Sequence, residues 1–411
     1  MVTQAEAREA PEPSPVASRA TVSSGLTVFV EQSPGPQFTW SSAWRVGFRS
    51  ERDGSHGLAH LCEHLLFQGS PEFPKLSYYR MIEAAGGLAN ARTRADFTVF
   101  FGSARYEHWE SVLALEADRF RNTLVSDAIV SNQHDVIAAE VGEKLHSSPR
   151  GTYPWVDVPL SLFSNPAHAH DGYAGPAMAE PPATDAVQAF FHENYRPADS
   201  VLWLHGPLEP ARTMDLVDRL FGEPRLHLHP SPGAVRAVVR NVPKEPVVSR
   251  AIGSAVAWAL PDPIRREHLG PLLLLVEGLG KALNVDFNAN AYWGMFDEPC
   301  QMADPLYVTV DAQVPGHQLS AAMRNWLEGI ARNGPTQTEI SRWAASYALK
   351  AGRVRHNRVE RTVARSVDAL LHGDPQFTDT LLAGLSQIGV PEVAWAAATV
   401  LGSNWVVLPH E

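Results

Sequence analysis

The chain has 411 residues, 45% hydrophobic and 19% charged, so it carries enough apolar mass for packed cores and is no disordered polyelectrolyte. With 34 Lys and Arg against 45 Asp and Glu, its net charge of −11 argues against a mainly electrostatic grip on nucleic acid or an anionic membrane. Two cysteines, Cys62 and Cys300, exclude a disulfide framework, while 17 histidines leave metal chemistry open.

Residues 1–20 carry Glu6, Arg8, Glu9 and Glu12 without an apolar run, so they read as a disordered tail and not an export signal. No stretch reaches the roughly 18 apolar residues of a membrane span, and a cytoplasmic, reducing location is expected. Residues 26–30 and 43–48 are β-prone, and 57–67 has helical spacing through Leu58, Leu61, Leu65 and Leu66. A second helix over 77–85 is stopped by Gly86-Gly87, a strand follows at 98–102, and helices follow at 109–122 and 128–145. Residues 147–182 are rich in Pro, Gly, Ser and His and read as a long surface excursion. A helix at 184–195, a strand at 201–205 and a helix at 211–221 close the first unit.

Residues 222–234 read as a linker. Beyond it the same order returns: strands near Val247 and at 255–260, a helix over 264–283, a strand at 306–312, and helices at 318–333 and 336–349. The pattern predicts an α+β fold of two homologous-looking α/β sandwich halves, 21–221 and 235–411. Each is expected to be a mainly antiparallel sheet packed with helices, and a remote internal duplication fits the pattern.

Within 57–67 lies His60-x-x-Glu63-His64. On a helix the two histidines sit one turn apart on one face, where both imidazoles reach a single ion. Glu63 stands beside them, placed to accept a proton from a metal-activated water. This is the reverse order of the H-E-x-x-H motif. Cys62, between the ligands, reads as a small buried hydrophobe. The pairs His168-x-His170 and His227-x-His229 read as solvated loop histidines.

The motif and its surroundings resemble the pitrilysin/insulinase family of zinc metallopeptidases, in particular its small two-domain members similar to mitochondrial processing peptidase subunits. The resemblance runs from about residue 26 to 221 and more weakly beyond. It implies Zn2+ as cofactor, held by His60, His64 and Glu140, the last standing 76 residues after His64 where the family places its third ligand. Three protein ligands leave a position open for water, as in catalytic sites. Glu63 is then the catalytic base. The resemblance further implies that Phe67 lines a substrate cleft. Asn90 and Ala91, in Gly87-x-x-Asn90-Ala91-x-Thr93, would pair by β-augmentation with an extended peptide. Read without the family, Phe67 is equally simple core and Asn90 a turn residue.

Two departures from the family pattern stand out. Where it usually has a second glutamate, seven residues before the ligand glutamate, this chain has Gln133; it keeps the hydrogen-bonding capacity and loses the charge. Glu143, one turn past Glu140, is a substitute or a solvated surface carboxylate. In the second half the family's Arg and Tyr, seven residues apart, clamp the substrate carbonyl; here Tyr292 is the nearest tyrosine and Val285 occupies the arginine's place. The expectation is therefore a zinc endopeptidase subunit that binds extended peptides between its halves. A homologous partner supplies the clamp in a heterodimer, with a homodimer as the alternative, and leader-peptide processing is one role that fits. The competing expectation is a non-catalytic assembly subunit or a peptide-binding module of the same family.

Overall fold

Alternating apolar residues, which face opposite sides of a strand, organise the chain around two sheets. The computed structural model describes residues 17–52, 56–147, 153–165, 167–170, 172–173, 180–222, 229–230, 253–260, 265–294, 307–355 and 357–408. The first half runs β1 (Ser18–Thr21), β2 (Thr27–Gln32), β3 (Gln37–Trp44), α1 (Leu58–Leu65), α2 (Ser77–Ala84), β4 (Leu88–Thr93), β5 (Thr98–Arg105), α3 (Trp109–Asn122), β6 (Leu124–Val125), α4 (Asp127–Ser147), α5 (Asp157–Leu162), α6 (Thr184–Asn194), β7 (Ser200–Gly206) and α7 (Pro210–Phe221). Its sheet has the order β1-β2-β7-β3-β5-β4, antiparallel except for the β2–β7 pair. The short β6 pairs in parallel with β8 (His229–Pro230).

The second half runs β9 (Ser254–Ala259), α8 (Arg266–Phe287), β10 (Asn290–Trp293), β11 (Tyr307–Ala312), α9 (Gly316–Asn333), α10 (Gln337–Arg355), α11 (Arg358–His372), α12 (Phe377–Gly384), α13 (Val390–Leu401) and β12 (Trp405–Leu408). Its antiparallel sheet has the order β10-β11-β9-β12.

Each sheet is covered on one face by its own half and on the other by a helix from the opposite half. Val28, Val30, Trp40, Leu202 and Leu204 point toward α3 and α7, whereas Phe29, Val99, Phe101, Val201 and Trp203 pack against Val363, Val367 and Leu370 of α11. Burying each of these three side chains contributes about 1.5–3 kcal/mol. Hydroxyl pairs Thr39–Thr362 (3.0 Å) and Ser41–Ser366 (2.6 Å) set the position of α11 on the sheet. In return, Val158 of α5 joins Ala255, Ala257 and Leu408 on one face of the second sheet, while Val256 and Trp258 face the large core built on α8, α9 and α13.

The structure corrects several boundaries. The strand expected at 43–48 is β3, which ends at Trp44; there the backbone tightens, Val46 N–H donating to the Trp44 carbonyl, and enters a 3-10 turn at Phe48–Ser50. Residues 18–20 of the expected tail pair with β2. Helix α8 runs on to Phe287 and ends where Asn288 adopts a left-handed conformation, φ 49°. The excursion contains α5, and α11, α12, α13 and β12 were not anticipated. The strand near Val247, Cys300 and most of the 222–234 linker lie outside the described residues.

Candidate metal and active site

The site is built on α1, whose N-terminus is capped from outside the helix. Gly57 adopts φ 90°, a left-handed backbone that glycine takes without steric cost, and the Glu51 carboxylate accepts the N–H groups of Gly57 and Ala59, each at 2.8 Å. Leu58, Leu61, Cys62 and Leu65 are buried, which turns His60, Glu63 and His64 toward a cavity of about 510 Å³. Helix α4 packs against α1 with Ile137 and Val141 in the core, and this brings Glu140 to the same cavity.

The His64 Nε2 to Glu140 Oε2 distance is 3.6 Å, and one donor atom from each of His60, His64 and Glu140 lies within 4.8 Å of the others. Tetrahedral zinc with bonds of about 2.0–2.1 Å holds its ligand atoms about 3.3 Å apart, so two imidazole nitrogens and a carboxylate oxygen at this spacing fit the ion with a small closure. It is the one three-residue set of this kind among the described residues.

Glu63 is oriented by Thr93, the last residue of β4, whose hydroxyl donates to its carboxylate. Burial raises the Glu63 carboxyl above its usual range; the Thr93 bond and the nearby His64 and Arg94 oppose that, and the Glu140 charge adds to it. A carboxylate kept basic beside a metal set is suited to accept a proton near neutral pH. Burial pushes the Cys62 thiol up, so it stays protonated, in keeping with a structural role.

Phe67 lines the cavity, its ring stacked on Tyr79 at 5.3 Å, and the Arg119 guanidinium lies 4.7 Å from its centroid. Asn90 and Ala91 also line it, on β4, the last strand of the sheet order. The Ala91 N–H is held by the Asn90 side chain at 2.8 Å, so the strand edge is locally self-satisfied. Gln133 is buried at the cavity wall and donates to Asn132 Oδ1 at 3.0 Å. Glu143 is exposed and stands apart from the residues lining the cavity. Tyr292 does not line it either; its ring meets Trp155 edge to face at 5.1 Å, because the 153–162 segment packs onto the second sheet.

Sequence reasoning missed three contributors. Thr93 stood inside a quoted motif without a role. Tyr173 of the excursion packs its ring edge-on to His60 at 4.6 Å, and its hydroxyl is 3.4 Å from the Thr93 carbonyl. Glu51 gives no signal in one dimension. His170 is likewise no solvated loop histidine: it stacks on His56 at 4.1 Å, lies 3.8 Å from Glu51, and accepts the Gly172 N–H. Burial above all, with His56 and His168 adding and a Phe48 backbone contact opposing, lowers its pKa to about 4. Gly172 is required where it stands, at φ 71°, since a Cβ would lie 2.0 Å from the Phe48 ring.

Fold and donor set together define a two-half α+β protein with a candidate metal centre on its first helix. Residues 27–149 match the insulinase family model, peptidase family M16, and residues 183–347 match the model described as the peptidase M16 inactive domain. The chain belongs to the M16, or insulinase, peptidase family. It is 26% identical over 417 residues to an uncharacterized zinc protease of Mycobacterium tuberculosis, covering 95% of this chain and 93% of that one. It is 32% identical over 124 residues to the mitochondrial-processing peptidase subunit beta of Neurospora crassa, 30% of this chain and only 26% of that protein. A protease from Helicobacter pylori shares the fold, with a TM-score of 0.77 at 16% identity over 96% of this chain and 99% of the other. Family and relatives support a metallopeptidase that uses zinc.

Proposed function

We propose that this chain is the catalytic subunit of a zinc endopeptidase that cleaves peptides bound in extended form. The observation that carries the reading is the convergence of His60, His64 and Glu140 beside a half-buried Glu63, in one cavity walled by the edge strand β4. Zinc, when bound, polarises the scissile carbonyl and lowers the pKa of water. His60, His64 and Glu140 hold the ion. Glu63, oriented by Thr93, accepts the proton of the attacking water and releases it to the leaving amine. The substrate backbone adds to β4 once the Asn90 side chain gives up the Ala91 N–H. A cavity of about 510 Å³ suits short or unfolded chains such as leader peptides.

The oxyanion contacts come from a homologous partner chain. Val285, where the family has arginine, is 85% exposed, and Tyr292 packs on Trp155 away from the cavity. Native mass spectrometry of the chain isolated from its source, followed by turnover of an unfolded peptide library, tests both parts. The expected result is a zinc-loaded complex with a second chain of similar mass and cleavage lost in Glu63→Gln. A zinc-loaded complex that cleaves nothing overturns the catalytic reading in favour of an assembly or peptide-binding subunit.

A further inference from the structure

The cavity that holds the metal set is lined by three cationic side chains, Lys75, Arg92 and Arg94, in a chain whose net charge is −11. Two of them are matched to carboxylates. Arg92 donates through both terminal nitrogens to Glu360 of α11, and Arg94 lies near enough to Glu63 to favour its charged form. Lys75 is different. Its Nζ donates to a neutral acceptor, Asn132 Oδ1 at 3.4 Å, and it makes no ion pair among the described residues.

The fold fixes this ammonium at the wall. The chain before α2 turns tightly: Ser70 N–H donates to the Phe73 carbonyl at 2.8 Å and Ser77 N–H to the Pro74 carbonyl at 2.9 Å, and a Cβ on Gly69, at φ 99°, would lie 2.6 Å from the Lys75 backbone nitrogen. On α4, Asn132 Oδ1 also accepts from Gln133 Nε2 at 3.0 Å, so the side chains that face Lys75 from this helix are neutral amides. A carboxylate at 132 or 133 would neutralise the ammonium, and the chain has none at either place. Glu140, the carboxylate of α4 that lines the cavity, stands eight residues beyond Asn132, about 12 Å of helical rise. A cation held in a concave wall away from opposite charge sets up a positive potential that an entering anion meets.

We infer that Lys75 is a specificity-determining residue: it receives a carboxylate of the bound peptide, set apart from the cleaved bond along the peptide. The separation of about 12 Å along α4, against an advance of about 3.3 Å per residue in an extended chain, puts that carboxylate roughly two to four residues from the bond. It belongs to an Asp or Glu side chain or to the C-terminus of the peptide. This rests on the peptidase reading above. The test compares wild type, Lys75→Met, Lys75→Arg and Lys75→Glu, each zinc-loaded and with any partner chain. The substrates are internally quenched peptides of one sequence with amidated C-termini, in which a single Gln, scanned along the residues on both sides of the cleaved bond, is replaced by Glu. A second set, shortened from its C-terminus, ends at the same distances in a free carboxylate or in its amide.

In the wild type, the Glu-to-Gln or acid-to-amide ratio of kcat/KM is about fivefold at one offset, the upper range of an exposed ion pair, and it shrinks as salt is raised. The set that shows it identifies the source of the carboxylate. Lys75→Met, which keeps the aliphatic stem and loses the charge, brings the ratio to about one; Lys75→Arg keeps it and Lys75→Glu inverts it. A ratio of about one at every offset in the wild type overturns the inference, and so does a ratio that survives in Lys75→Met. A fall in Tm of Lys75→Met with equal loss on every peptide also overturns it and makes Lys75 structural. Fluorescence anisotropy of the same peptides on the Glu63→Gln background reads the preference as binding. Absence of cleavage, which sinks the peptidase reading, is thereby separated from absence of a preference for the carboxylate, which sinks this one.

Discussion

Each half places a glutamate on a helix packed against its own sheet, and the two are treated in opposite ways. In the first, Glu63 on α1 is half-buried beside two imidazoles and another carboxylate, and its carboxyl stays above its usual range. In the second, Glu277 on α8 lies among the buried run Leu272–Leu273–Leu274–Leu275 and is met by Lys350 at 2.7 Å and Lys281 at 3.4 Å. Burial alone would raise Glu277 too, but hydrogen bonds from Lys350 and Ser346 and the charges of Lys350 and Lys281 hold it below the usual value. A half-buried carboxylate held by a hydroxyl instead of an ammonium group remains chemically available. One flanked by two ammonium groups is spent on packing two helices together.

That contrast breaks most completely at the ligands. His60→Ala or Glu140→Ala removes one of three donors, so zinc affinity, read by chelator competition, should fall well beyond the 10–100-fold typical of losing an outer hydrogen-bond partner. Glu63→Gln should keep the metal, measured by mass spectrometry, while kcat drops by about 10²–10⁴, the range of a lost general base. Tyr173→Ala, which strips the ring from His60, should weaken zinc by about tenfold; Tyr173→Phe should restore it, and failure of Phe to do so would move the role from the ring to the hydroxyl.

The smallest effect belongs to the second half. Glu277→Gln should leave zinc content unchanged and lower the Tm by a few degrees at most, since Lys350, which donates to this carboxylate, is itself largely exposed. Because the folded carboxyl is depressed, the stability it contributes is present above its ordinary pKa and is lost as pH falls below it. Thermal melts from pH 7 down to pH 3 should therefore slope less steeply in the variant than in the wild type.

Much of this was legible in one dimension. Spacing on one helix paired His60 with His64, since a 3.6-residue repeat is local. The resemblance supplied Glu140, Asn90 and Ala91, and the structure brings all of them to one cavity. What stayed hidden depends on distant packing. Thr93 reaches Glu63 across a separation of 30 residues, and Tyr173 arrives from a segment whose composition reads as loop. Tyr292 was expected near the substrate because its surroundings resembled a motif, yet the 153–162 segment claims it. The amphipathic α11 was overlooked where its apolar stripe, Val363, Val367 and Leu370, answers a sheet in the other half.

The exchange of covering helices also sets an order in time. Thr39 meets Thr362 across 323 residues, and Ser41 meets Ser366 across 325. During synthesis the helix of the candidate metal set and its sheet emerge early, but the sheet's outer face, with Phe29, Phe101 and Trp203, stays bare until residues 358–372 of α11 leave the ribosome. The first half therefore completes its sheet only with residues from the second, long after its own strands are made. A nascent chain carries His60, His64 and Glu140 well before the sheet beside them is covered on both faces.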